Sequence, residues 1–126
     1  MAPRVALVHC PGYETEAVEA AVRRSVDLLG GIGQFVRGGQ RVLLKPNLLR
    51  PSPPEQAVVT HPAVVRAVIR LVQDAGAKVL VADNPVTPLL TQRAWLHAYE
   101  EMGLAKVASE TGAELNTHIV PQQRSH

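Results

Sequence analysis

Hydrophobic residues recur along this chain in two alternating rhythms. Short aliphatic runs bounded by Gly, Pro, Asn or Asp read as strands: Arg4 to His9 (RVALVH), Arg41 to Leu44 (RVLL), Lys78 to Ala82 (KVLVA) and Glu114 to Val120. Between them the apolar positions shift to helical spacing. Ala17, Val18, Ala21, Val22, Val26 and Leu29 share one face of a helix that Gly30-Gly31 ends. Val64, Val65, Val68, Ile69, Leu71 and Val72 share a face of the next, which Thr60 is expected to cap, with Pro62 at the first helical position and Gly76 as the stop. A third helix covers Gln92 to Met102, with Trp95, Leu96 and Tyr99 on its apolar side, and a further turn runs from Ala105 to Glu110.

Strands that alternate with helices imply parallel pairing and right-handed crossovers. The expected fold is α/β: an open three-layer sandwich with a mainly parallel sheet of about four strands and helices on both faces. A strand order of 2-1-3-4 fits this pattern. Residues 1–120 form a single domain, and the polar tail 121–126 is expected to fray.

Composition narrows the picture. The chain has 126 residues, of which 46% are hydrophobic, 19% charged and only 3% aromatic. Val, Leu, Ala and Ile must therefore build the core, as suits helices packed on a parallel sheet. The formal net charge is +2, and the basic residues are spread out, with only Arg23-Arg24 adjacent. That argues against a nucleic-acid surface, which gathers its cations on one face. Cys10 is the only cysteine, so neither an intrachain disulfide nor a Cys-x-x-Cys pair exists. No signal peptide is legible, and no apolar run approaches the ~20 residues that span a bilayer, so a cytoplasmic location is expected, with no membrane partner.

Candidate chemistry gathers where strands end. In open α/β sheets the ligand site lies beyond the carboxyl ends of the strands. The first strand delivers His9 and Cys10, the second Lys45 and Asn47, the third Asp83 and Asn84. A proline-rich loop then returns Thr60 and His61 to a helix start on the same edge. A lysine directly after a core strand is costly unless its amine meets water or an anion. Lys45 would serve as a point charge, Asn47 as a positioning donor and Thr60 as a hydroxyl contact, beside free amides at the helix start. Asp83 could accept from a ligand hydroxyl or hold a cation, or else form a turn with Asn84-Pro85. His61 could be a general base or metal ligand, or simply hydrogen-bond its own loop. Cys10 reads as a half-buried thiol, and His9 as an exposed sheet-end histidine. Gly30-Gly31-Ile32-Gly33 follows a helix instead of a strand, so it is not a dinucleotide fingerprint. Trp95 and Tyr99 read as core packing. The residues name neither a catalytic group, nor a metal, nor a cofactor.

Val5-Ala6-Leu7-Val8, then Gly39-Gln40-Arg41-Val42-Leu43-Leu44-Lys45-Pro46-Asn47-Leu48-Leu49, then Thr60-His61-Pro62-Ala63-Val64-Val65-Arg66-Ala67-Val68, together resemble the amino-terminal part of domain-of-unknown-function family 362. The paired Lys-Pro-Asn strand end and Thr-His-Pro helix start carry this resemblance, which covers roughly residues 4 to 118. Two positions depart from the pattern: Val59 stands where a second Thr is expected, and Asn84 where a small Ser is. The resemblance implies an architecture and a site at Lys45, Asn47, Thr60, His61 and Asp83. Family members often carry a ferredoxin-like, cysteine-rich segment, which implies iron–sulfur associations.

Three readings follow. The first is a domain that binds a small anionic molecule. The second is an accessory module for iron–sulfur or redox chemistry, acting with a partner protein. The third is a non-catalytic domain that self-associates through an edge strand, expected to be the last one.

Overall fold

A computed structural model describes residues 2–86 and 89–118. The elements run α1 (Thr15–Asp27), β1 (Arg41–Leu44), α2 (Pro62–Asp74), β2 (Lys78–Val81), α3 (Gln92–Glu101), α4 (Leu104–Thr111) and β3 (Glu114–Leu115). Single turns of 3₁₀ helix, Ile32–Gln34 and Pro54–Gln56, shape the two longer connections. The α/β class and the parallel pairing stand as expected. The sheet has three strands among the described residues, against about four expected.

The strand order is β1-β2-β3, which corrects the order expected from sequence. Arg41 pairs with Lys78 and Leu44 with Val81, so the strand starting at Arg41 lies directly beside the one starting at Lys78. No Arg4–His9 strand separates them. That segment makes no backbone hydrogen bond among the described residues. Its side chains alternate: Ala6 and Val8 are half-buried, whereas Val5 is 87% and Leu7 93% exposed. A central strand of a parallel sheet must be apolar on both faces. This segment has one face on the molecule and one in solvent.

Pairing in chain order also decides where the helices go. Successive right-handed crossovers that move in one direction across a sheet all lie on the same side. Side chains of α2, α3 and α4 accordingly join Val79 and Val81 in one apolar cluster, with Val42, Leu44 and Leu115 packed against it. On the opposite face Arg41, Leu43 and Lys78 are exposed and Leu80 is half-buried. That face also carries the Arg41–Glu114 ion pair, 2.8 Å apart.

Helix α2 is the centre of the assembly. It packs on α1 along one side and on the sheet and α4 along another. Val65, Ala67, Ile69, Leu71 and Val72 are buried on it, and each large aliphatic side chain contributes about 1.5–3 kcal/mol on burial. Gly76 ends α2 at φ +85°, and a Cβ there would stand 3.3 Å from Gly38 Cα. Glycine satisfies both the left-handed backbone and the close approach. The Gly76 carbonyl then accepts from the Gly39 amide, and Gln40 O accepts from the Lys78 amide, which aligns β1 with β2.

The last strand was expected to reach Val120. Residues 119–120 and the tail from Pro121 lie outside the described residues, and Glu114–Leu115 is the part seen paired.

Candidate functional site

Because β1 and β2 are parallel and adjacent, their carboxyl ends emerge side by side. Lys45 leaves β1 and Asp83 follows β2. The Lys45 Nζ lies 2.5 Å from Asp83 Oδ1. The two side chains differ sharply in exposure: 69% for Lys45, 5% for Asp83. The ammonium meets Oδ1 as an ion contact, off the direction of a well-formed hydrogen bond. The other carboxylate oxygen, Oδ2, accepts from the Leu48 amide at 3.0 Å. Burial pushes the Asp83 carboxyl upward, but the Lys45 ammonium and the amides of Leu48 and Asn84 outweigh it, and the net shift is below the ordinary value.

Asp83 therefore pins the loop that leaves β1. Leu48 is fully buried and held by its amide. Leu49 sits at φ +23°, and its carbonyl accepts from the Val86 amide at 2.6 Å. A non-glycine residue in this region costs on the order of 1–3 kcal/mol and persists only where its neighbours enforce it.

Asn47 and Thr60 close the base of the proline-rich loop. The Asn47 amide donates to Thr60 Oγ1 at 2.9 Å, and the Thr60 amide donates to Asn47 O at 2.8 Å. Thr60 was expected to cap α2. His61 does so instead: its Nδ1 accepts from the Ala63 amide at 3.1 Å. An Nδ1 that accepts carries no proton, so the neutral ring holds its proton on Nε2. The ring also stacks on Tyr13, with centroids 3.7 Å apart and planes 8° from parallel.

This cap changes what the start of α2 can do. Pro62 has no N–H, Ala63 donates to the His61 ring, and the Val64 amide donates to His61 O. The free amides expected at this helix start are already occupied by the chain itself. In this geometry His61 is a cap and an Nε2–H donor, with no free lone pair to act as a base.

Two clefts meet at Thr60. One, of about 170 Å³, is lined by Lys45, Pro46, Thr60 and Val64. The other, of about 480 Å³, is lined by Tyr13, Glu55, Thr60 and His61. Thus Lys45 and Asp83 come together directly, Thr60, bonded to Asn47, borders both clefts, and His61 lines only the second. His9 and Cys10 do not join the pair. Cys10 donates its thiol hydrogen to Gly12 O at 3.3 Å and lines a separate cleft with Tyr13, Val22 and Val64. His9 is exposed. Among the described residues no group of three or more His, Cys, Asp or Glu side chains is placed to hold a metal ion.

Tyr99 is a neighbour of the pair that sequence reasoning assigned to packing alone. It is fully buried, and its hydroxyl donates to Asn116 O at 2.5 Å, tying α3 to the end of β3. Burial, reinforced by the Asp83 charge, pushes its phenol up to about 12. Nothing local in the sequence signals this, because both partners come from other segments.

The sequence profile of the family described as Domain of unknown function (DUF362) matches residues 42–123. The chain is also 45% identical over 85 residues to the thylakoid-associated protein sll1697 of Synechocystis sp.. That alignment covers 68% of this chain but 26% of the relative, so the chain spans about a quarter of the length of the protein it matches. No solved structure matches. No helix among the described residues is long and apolar enough to cross a membrane.

Proposed function

From the premise that this chain belongs to the domain-of-unknown-function family DUF362, we propose that it binds a small anionic molecule at the carboxyl edge of its sheet, with Lys45 as the contacting cation. One observation carries this: an ammonium that is 69% exposed rests on a carboxylate that is only 5% exposed. Asp83 holds the amine at the strand ends, yet leaves most of its surface to a ligand. Thr60, fixed by its mutual bonds with Asn47, would border the ligand beside Lys45, and the Nε2–H of His61 would offer a donor in the adjoining cleft. Asp83 acts through Lys45 as a positioning residue.

Calorimetric titration with inorganic phosphate and with small dicarboxylates tests this. Saturable binding should be lost in Lys45→Met and partly kept in Lys45→Arg. Binding that survives unchanged in Lys45→Met rules Lys45 out as the contact.

Exposed apolar side chains favour a second reading, self-association through an open edge. Val5 is 87% and Leu7 93% exposed in a segment without backbone bonds among the described residues, and Leu43, 59% exposed, lies on the edge strand β1. The open edge here is that of β1, whereas the sequence pointed to the last strand. Light scattering across a concentration series checks it, and a monomer throughout excludes it. An iron–sulfur role acting with a partner draws on the family resemblance alone. Cytoplasmic placement belongs to this proposal too. The relative's thylakoid association makes membrane attachment the competing outcome, which cell fractionation separates.

A further inference from the structure

Two sets of backbone hydrogen-bonding groups are left open in this chain. Gln40 O accepts from the Lys78 amide and Leu44 O from the Ala82 amide, so alternate groups along β1 face β2. Those of Arg41 and Leu43 face the other way, along the free edge of a sheet ordered β1-β2-β3. They have no partner among the described residues. The second set belongs to Arg4–His9, which has strand-like alternation and no backbone bond of its own. Val8 anchors this segment, lining a cleft with Val18, Val22 and Val64. Its other face holds Val5 and Leu7, 87% and 93% exposed. The chain thus carries a strand without a sheet and a sheet edge without its next strand, the two halves of an edge-to-edge contact.

We propose that Arg4–His9 of one copy adds as a strand to the β1 edge of a second copy, which returns the same contact. This rests on the self-association reading above and names both halves of its interface. Because one chain carries both, a two-fold dimer pairs each with the other. The side chains agree with such an addition. Val42 and Leu44 turn toward the core and Leu43 away from it, while Ala6 and Val8 are half-buried and Val5 and Leu7 exposed. An added strand that keeps this alternation lays Val5 and Leu7 on the face of Leu43 and removes three exposed aliphatic side chains from water. Main-chain hydrogen bonds supply the affinity, as in other strand additions. The segment is already extended in the single chain, so little ordering opposes the contact.

Amide hydrogen exchange of the native chain at high and low concentration, with light scattering alongside, tests this. In the dimer the Leu43 amide and alternate amides of Arg4–His9 should be protected, and dilution should release them together. The double variant Ala6→Pro, Leu7→Pro removes one N–H from each alternating set, so it strikes whichever set faces the edge. It should raise the dimer dissociation constant about tenfold. The segment makes no backbone bonds in the single chain, so protection of the α2 amides should be unchanged and reports that the variant folds. If it does not fold, exchange in the native chain alone decides. A dimer whose Leu43 amide exchanges freely, or which the double variant leaves unchanged, overturns this proposal and leaves the self-association reading standing. A monomer at every concentration overturns both, and a protected Leu43 amide in that monomer assigns the edge to the chain's own segment.

Discussion

The Lys45 ammonium rests 2.5 Å from the Asp83 carboxylate, an exposed cation set on a buried anion at the ends of two adjacent parallel strands. The anion does more than hold the cation. Its second oxygen accepts the Leu48 amide and so anchors the loop that carries the rest of the candidate site.

Replacing Asp83 by Ala should therefore destabilise the fold by about 1–3 kcal/mol, because the buried Leu48 amide loses its acceptor. Asp83→Asn keeps an acceptor and should lose less. The carboxyl lies below its ordinary value of 3.8 in the folded chain. Its contribution is thus complete above pH 3.8 and disappears as pH falls through the lower folded value. Urea denaturation on the acid side should show that loss in the native chain and not in Asp83→Asn. Equal acid sensitivity in both would refute it.

His61→Ala should cost about 0.5–2 kcal/mol, the usual loss for a helix N-cap. His61→Asn, whose side-chain oxygen can accept the Ala63 amide, should recover most of it. Parallel urea curves at neutral pH compare the two. If Asn is no better than Ala, the Tyr13 stack outweighs the cap.

Tyr99→Phe should cost about 0.5–1.5 kcal/mol through loss of the hydroxyl bond to Asn116 O. The phenol is raised from 10.0 to about 12 in the folded chain. Its contribution is full below pH 10.0 and falls as pH rises toward about 12, since the unfolded chain ionises first. The alkaline stability slope over that range should be shallower in Tyr99→Phe. An unchanged slope would show that other groups set it.

Much of the local structure was legible. The breaks at Gly30-Gly31, Gly76 and Gly103 and the proline at Pro62 bound α1, α2 and α3 within a residue or two. Lys45 and Asp83 could be placed on one edge because parallel strands present their carboxyl ends together. The role of His61 was not legible. A Thr-His-Pro start supports a cap by either Thr60 or His61, and the choice depends on which side chain can turn back toward Ala63. Trp95 and Tyr99 read correctly as buried, but periodicity says nothing about where an indole N–H or a phenol finds a partner.

The sequence by itself determined the main helices and the strands Arg41–Leu44 and Lys78–Val81, and that a lysine and an aspartate end up on the carboxyl edge of one sheet. Those outcomes rest on interactions within a few residues: period, breakers and caps. Tertiary structure alone decided that Arg41–Leu44 pairs directly with Lys78–Val81, leaving Arg4–His9 outside the sheet. It also decided that Asp83 is spent on both Lys45 and Leu48, and that His61 closes the first amides of α2. Each of these depends on how groups from different segments share space and hydrogen-bonding capacity, and that competition is settled only when the chain packs.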